Sequence, residues 1–406
     1  MGGGAKSTAI AAVIGLGSCG FREIPSEPAC FEYVVASDTH SCGRKTDGTL
    51  WCWGNNQHGQ LGTGDTASQV APVRVDPDGL GSDVAGVYVP SGSGVISTRT
   101  AFTCARKTDG TLWCWGSNEY GQLGTGDRDA RLRPTPVAGL GPDVHAASLG
   151  GAFGCARKTD NTLWCWGANE AGQLGTGDKQ DRLSPVEVDP SGLGASVRRF
   201  STGAAHTCAR RTDNTLLCWG ANESGQLGTG DTEPAMSPAP VDTSSLGATA
   251  DVVITGAAHT CLTLSDAAID CFGANQFGQL GLGADPSPRL HPERVDLPGF
   301  AGGVPMITAG GRHTCAGKTD GTLWCWGDNR AGQLGVGTRA NSGVPVQVDA
   351  TGMGAQVAVV YAGGAHTCVR NIDNSVWCWG SNEYGQLGIG AGPGSEIPVQ
   401  VAASCP

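Results

Sequence analysis

The chain has no lysine- or arginine-rich run, and its 26 basic residues are outnumbered by 37 acidic ones. Nucleic-acid binding needs clustered cations to neutralise phosphates, so a net charge of −11 without such a cluster argues against a nucleic-acid partner. The charge reads instead as a solubility feature. Also missing are a serine-nucleophile motif, paired catalytic carboxylates and a zinc-protease helix signature. Active sites are built from singular residues, whereas nearly everything recognisable here is repeated. Neither enzymatic activity nor a cofactor is expected.

The N-terminus holds one short, weakly apolar run, from Ser7 to Leu16 after Lys6, too short to span a bilayer permanently but suited to a cleavable signal. It is not a phosphate-binding loop, because Ala5 stands where that motif requires glycine, and Lys6 stands where N-myristoylation requires Ser or Thr. Leu16-Gly17-Ser18-Cys19 resembles the lipobox of a bacterial lipoprotein signal. The resemblance implies a signal peptide over residues 1–18, lipid on Cys19, a tether over 19–30 and an exported chain touching a membrane only through that anchor.

What is abundant is periodic. Of 17 cysteines, fourteen form seven pairs spaced by ten residues: Cys42 and Cys52, Cys104 and Cys114, Cys155 and Cys165, Cys208 and Cys218, Cys261 and Cys271, Cys315 and Cys325, Cys368 and Cys378. Cys19, Cys30 and Cys405 lie outside them. A Gly-Gln-Leu-Gly tetrad follows each pair at fixed distance, and length varies only between blocks. Such recurrence marks a repeat array, one body over nearly the whole chain.

Between the cysteines of the second copy lies Thr108-Asp109-Gly110, a three-residue hairpin loop whose third place needs a left-handed residue. Gly48, Gly110, Asn161, Asn214, Gly321 and Asn374 suit that place, and only Ala267 departs. The turn sets Lys107 opposite Thr111, and therefore Cys104 opposite Cys114 on a close, non-hydrogen-bonded pair. A cross-strand disulfide is expected in each hairpin, in preference to zinc, whose knuckles use shorter spacings. All 11 tryptophans adjoin a second cysteine, on the strand face opposite it, and read as core; Leu217 and Phe272 replace tryptophan with bulk preserved. A strand before each hairpin, as in Val252-Val253-Ile254, and a proline-led edge strand after the tetrad, as in Pro185-Val186-Glu187-Val188, make four short strands per repeat. Seven such repeats predict an all-β, seven-bladed β-propeller over residues 31–405.

His-Thr-Cys, Asp-Gly-Thr, Cys-Trp-Gly, Asn-x-x-Gly-Gln-Leu-Gly and a later Pro-x-x-Val, recurring in order, resemble the repeat of the regulator of chromosome condensation 1 (RCC1) family over about residues 31–403. The resemblance implies a seven-bladed ring closed by strands from both chain ends. Such closure would bring Cys30 near Cys405 as a further disulfide. It also implies two functions: a non-catalytic scaffold binding another protein, or guanine-nucleotide exchange on a small GTPase, whose specialised wedge has no residue-by-residue match here.

His40, His206, His259, His313 and His366 stand two residues before a first cysteine; Phe102 and Phe153 take that place in two copies, so one structural hydrogen bond in each blade is expected, not a metal ring. Asn56, Asn118, Asn169, Asn222, Asn275, Asn329 and Asn382 read as turn caps. Asp65, Asp127, Asp178 and Asp231 supply one carboxylate per loop, too few for calcium. Function is sought in what varies: Asp127, Arg128, Arg131 and Arg133 after one tetrad, Lys179 and Arg182 after the next, and an insertion around residues 86–97. These loops are the candidate surface for an unidentified protein or cell-surface ligand, bound by an exported monomer.

Overall fold

The structure, a computed structural model, describes residues 30–401 except 77, 91–100, 190, 194–195, 297–305 and 355. Among these residues β1 to β28 form seven four-stranded antiparallel sheets, without helices. Each blade is one unbroken stretch of chain: β1 (Phe31–Ala36), β2 (His40–Lys45), β3 (Leu50–Gly54) and β4 (Gln69–Arg74) in the first, and β25 (Val357–Ala362), β26 (His366–Asn371), β27 (Val376–Gly380) and β28 (Ser395–Gln400) in the last. Among the described residues, the expected closure by strands from both chain ends therefore does not occur. The repeat starts on the innermost strand and finishes on the outermost, so each blade is completed locally. The seam is closed by contacts between the first and seventh blades.

The hairpin register follows the turn. Lys107 N–H donates to Thr111 O at 2.9 Å, Gly110 has φ 84°, and Cys104 pairs directly with Cys114. All seven hairpins carry their disulfide, with Cα atoms 4.0 to 4.2 Å apart. Ala267 keeps the left-handed turn at φ 68°. Cys30 is disulfide-bonded. Its proposed partner Cys405, like Cys19, lies outside the described residues. The outer strand begins earlier than the proline suggests: β12 spans Arg182–Glu187, with Pro185 at a bulge between the pairs Cys165–Val186 and Gly167–Arg182. The bulge removes the need for the donor that proline lacks.

The core lies between blades. Cys104 and Cys114 pack with Trp166 of the next blade, and Cys368 and Cys378 with Trp53 across the seam; Phe272 takes the tryptophan place against Cys208 and Cys218. The two faces foreseen for the Cys-Trp strand thus serve different neighbours, the disulfide facing forward and the tryptophan backward. The other tryptophans are half-buried; Trp51, Trp113, Trp164 and Trp324 are each bonded to a threonine of their own hairpin and covered by a lysine, while Trp377 is bonded to Ser375.

Candidate functional site

Most of the repeated side chains are used up in joining blades. Gln60, in the first tetrad, is the pattern: its main-chain carbonyl accepts from Trp115 Nε1 at 3.0 Å and from Thr103 Oγ1 at 2.7 Å, both in the second blade. His40 Nε2 lies 2.8 Å from the same Thr103 Oγ1. Because that hydroxyl gives its proton to Gln60, the imidazole donates, which fixes the Nε2–H tautomer. The pattern recurs at His206–Thr260–Gln226, His259–Thr314–Gln279 and His313–Thr367–Gln333, and His366–Ser41–Gln386 carries it across the seam. The structural bond expected of each histidine thus runs to the next blade, and His40 also makes one inside its own, its Nδ1 lying 2.7 Å from Ser37 Oγ. Where Phe102 replaces histidine, the next blade has Gly154 in the threonine place, so neither partner is orphaned.

Burial pushes four of these imidazoles down to about 3 and His313, partly offset by the Asp328 carboxylate, to about 4. Nδ1 of His206, His259, His313 and His366 has no hydrogen-bond partner, so a second proton would be placed in a dry site. Close approach enforces that dryness. A side chain at Gly256 would meet the His259 ring at 2.1 Å. These are neutral structural groups, positioned neither for general-base work nor for metal binding.

The asparagine loops are similarly closed. Asn56 Oδ1 accepts from Leu61 N, while its Nδ2 donates to Thr63 Oγ1, Asp65 Oδ1 and the carbonyls of Asp65 and Ala67, at 3.0 to 3.2 Å. The amide sits where a cation would have to sit, inside the oxygen cluster. Among the described residues no group of three or more His, Cys, Asp and Glu is placed to hold a metal.

A cavity of about 420 Å³ opens along the axis between inner strands, lined by Tyr33, Val87, Tyr88, Leu149, Thr308 and Tyr361 among others. Burial and the neighbouring Tyr88 raise the Tyr33 hydroxyl well above its ordinary range, so it stays protonated. No carboxylate, imidazole, amine or thiol is among the described lining residues, leaving nothing there to take up or deliver a proton near neutrality.

The variable loops lie on the face carrying the connections between the third and fourth strands. Their charges are largely paired with one another. Arg131 bonds Asp127 at 2.5 Å, Arg182 bonds Asp178 at 2.6 Å, Arg133 reaches Asp76 at 2.8 Å, and Arg128 reaches Asp181 of the next blade at 3.0 Å. Lys179 is exposed. Of the insertion, Gly86 falls inside the inner strand β5 (Val84–Tyr88), and residues 91–100 lie outside the described set.

Sequence reasoning missed one repeated residue, the arginine two places after a first cysteine: Arg44, Arg106, Arg157, Arg210 and Arg370. Arg157 and Arg210 reach the next blade's inner strand, at Val197 O and Asp251 O, both 3.4 Å, and Arg44 reaches Val84 O likewise. Its fixed spacing was the available signal.

The RCC1 repeat model (regulator of chromosome condensation) matches residues 47–88, 109–156, 160–210, 213–263, 271–316, 320–370 and 373–404. The chain is 31% identical to the ultraviolet-B receptor UVR8 of Arabidopsis thaliana over 390 residues, covering 94% of this chain and 84% of that protein. It is 31% identical over 273 residues to the secretion-regulating guanine nucleotide exchange factor of Bos taurus, the match spanning 65% of this chain and 56% of the factor. Among solved structures, human WBSCR16 superposes with a TM-score of 0.75 at 22% identity, covering 87% of this chain and 94% of that one, a likeness of fold. With seven successive matches to the repeat model and a relative aligned over nearly its whole length, the chain belongs to the RCC1 repeat family.

Proposed function

We propose that this propeller is a non-catalytic, exported scaffold that binds a protein partner through the variable loops of one face. The observation that carries the reading is the use of the repeated His, Thr, Trp and Asn side chains in blade-to-blade and loop bonds, beside an axial cavity without acid–base groups. What remains variable and exposed is the loop set around Arg128 and Lys179. Seven buried disulfides suit an oxidising compartment. Lipidation of Cys19 would hold the scaffold at a membrane.

The test is affinity capture with the exported chain, comparing wild type with Arg128→Ser/Lys179→Ser. A partner captured equally by both would sink the loop assignment. Labelled fatty acid incorporated into wild type but not Cys19→Ser supports the anchor, and absence of label from wild type overturns it.

A second reading is guanine-nucleotide exchange, favoured by the 31% identity to a protein described as an exchange factor. Accelerated nucleotide release from a small GTPase would support it and displace the purely scaffolding account.

A further inference from the structure

The sequence has no basic run, yet the fold assembles one. Arg198 and Arg199 lie on β13 (Val197–Thr202), the inner strand of the fourth blade, and Arg210 and Arg211 on its neighbour β14 (His206–Arg211). The register places Arg199 directly opposite Arg210. Like charges in cross-strand register destabilise a sheet. No other blade does this: Arg44 faces Tyr33, Arg106 faces Gly86, Arg157 faces Ala146 and Arg370 faces Val359, while the fifth and sixth blades have Thr263 and Gly317 in the arginine place.

The neighbouring blades extend the charge. Arg157 Nη2 lies 2.7 Å from His145 Nδ1, and burial together with Arg157 and Arg106 holds that imidazole below its usual range. Burial and Arg199 lower Arg157, and burial and Arg198 lower Arg210. Arg106, Arg157, Arg198, Arg199 and Arg210, with His145 accepting from Arg157 among them, thus form a continuous cationic arc over the second, third and fourth blades. It lies near the starts of inner strands and the ends of second strands, on the face opposite the variable loops. Among the described residues, Arg106, Arg157, Arg198 and Arg199 make no ion pair, and Nε of both Arg106 and the buried Arg210 has no hydrogen-bond partner. A fold that gathers five arginines at mutual cost, with Arg198 and Arg199 exposed, presents a surface completed by anions.

We propose that this arc is a docking surface for an acidic protein segment rich in Asp and Glu. Its limits decide against nucleic acid. On the first blade Arg44 is already paired with Glu32, and at the other end Asp251 stands 3.7 Å from Arg210, with Asp213 3.5 Å from Arg211. A polynucleotide would continue its phosphates past both ends onto a chain of net charge −11. A short carboxylate-bearing segment ends where the cations end. The exposed guanidinium forks of Arg198 and Arg199 suit bidentate carboxylate binding.

This surface rests on reading the propeller as a protein-binding scaffold but is separate from its variable loops, and its test can fail independently. Fluorescence anisotropy of the full chain with fluorescein-labelled octaglutamate is read at low and physiological salt, with a single-stranded oligonucleotide as comparison. Arg198→Glu/Arg199→Glu should weaken octaglutamate binding by about tenfold or more, since two exposed charge pairs are lost and reversal adds repulsion. Arg339→Glu, in a sixth-blade loop, should leave binding unchanged. Because Arg198 and Arg199 are exposed and Arg199 faces a like charge, the double variant should melt no lower than wild type. Unchanged octaglutamate affinity in the folded double variant overturns the proposal, as does tighter binding of the oligonucleotide through the same residues. Loss of octaglutamate binding with loop-dependent capture intact supports the arc as a second surface. Octaglutamate binding with no loop-dependent capture supports the arc while sinking the loop assignment.

Discussion

The indole N–H of Trp53 donates to the main-chain carbonyl of Gln386 at 2.9 Å, joining the first blade to the seventh across 333 residues of chain. The carbonyl also accepts from Ser41 Oγ at 2.9 Å. Trp53→Phe therefore removes one hydrogen bond without orphaning its acceptor and should cost about 1 kcal/mol. Trp53→Ala also empties a fully buried site beside Cys368 and Cys378 and should cost about 3 to 5 kcal/mol. Chemical denaturation of both variants checks the ordering; equal losses would show that packing of the indole adds little beyond its hydrogen bond.

Ala267 holds a conformation that its counterparts reach with glycine or asparagine. Left-handed backbone costs an ordinary L-residue about 1 to 2 kcal/mol. Ala267→Asn should stabilise the protein by about 1 kcal/mol, and Ala267→Gly by less, because glycine gains freedom in the unfolded chain. A lower denaturation midpoint for the asparagine variant would contradict this.

Acid should open the ring. A histidine whose folded value lies near 3 and whose unfolded value is near 6.5 contributes stability that is fully present above pH 6.5 and lost as pH falls toward 3. At pH 5 each such histidine forfeits about 2 kcal/mol. Melting temperature should drop steadily below pH 6.5. His259→Phe, copying the substitution found at Phe102 and Phe153, should flatten that slope; an unchanged slope would locate the acid lability elsewhere.

The hairpin disulfides are fully buried, so reductant should reach them only after unfolding. Thiol labelling by mass spectrometry should detect little free cysteine in native protein treated with dithiothreitol. Replacing Cys104 and Cys114 together by serine opens a loop of ten-residue separation and should cost about 3 kcal/mol in the chain-entropy account.

Much of the fold was legible because its rules are local. A three-residue turn with a left-handed third place fixes which residues face each other, and that alone sets Cys104 against Cys114. Even Ala267, which breaks the composition rule, is held to it by its flanking strands. The functional surface was less legible. Arg128 and Arg133 looked available in sequence, but Asp181 and Asp76, which pair with them, belong to other loops.

By itself, the sequence determined the repeat, the hairpin register, the disulfide within each blade and the count of seven, since all depend on spacing within about fifty residues. Tertiary structure alone decided how the ring closes, that His40 reaches Thr103 of the next blade, and that Arg199 meets Arg210 beside Arg157 and His145. Those relations depend on which blade edges meet and how strands from different repeats lie in space. A one-dimensional period cannot express that, because every repeat looks alike until it has a neighbour.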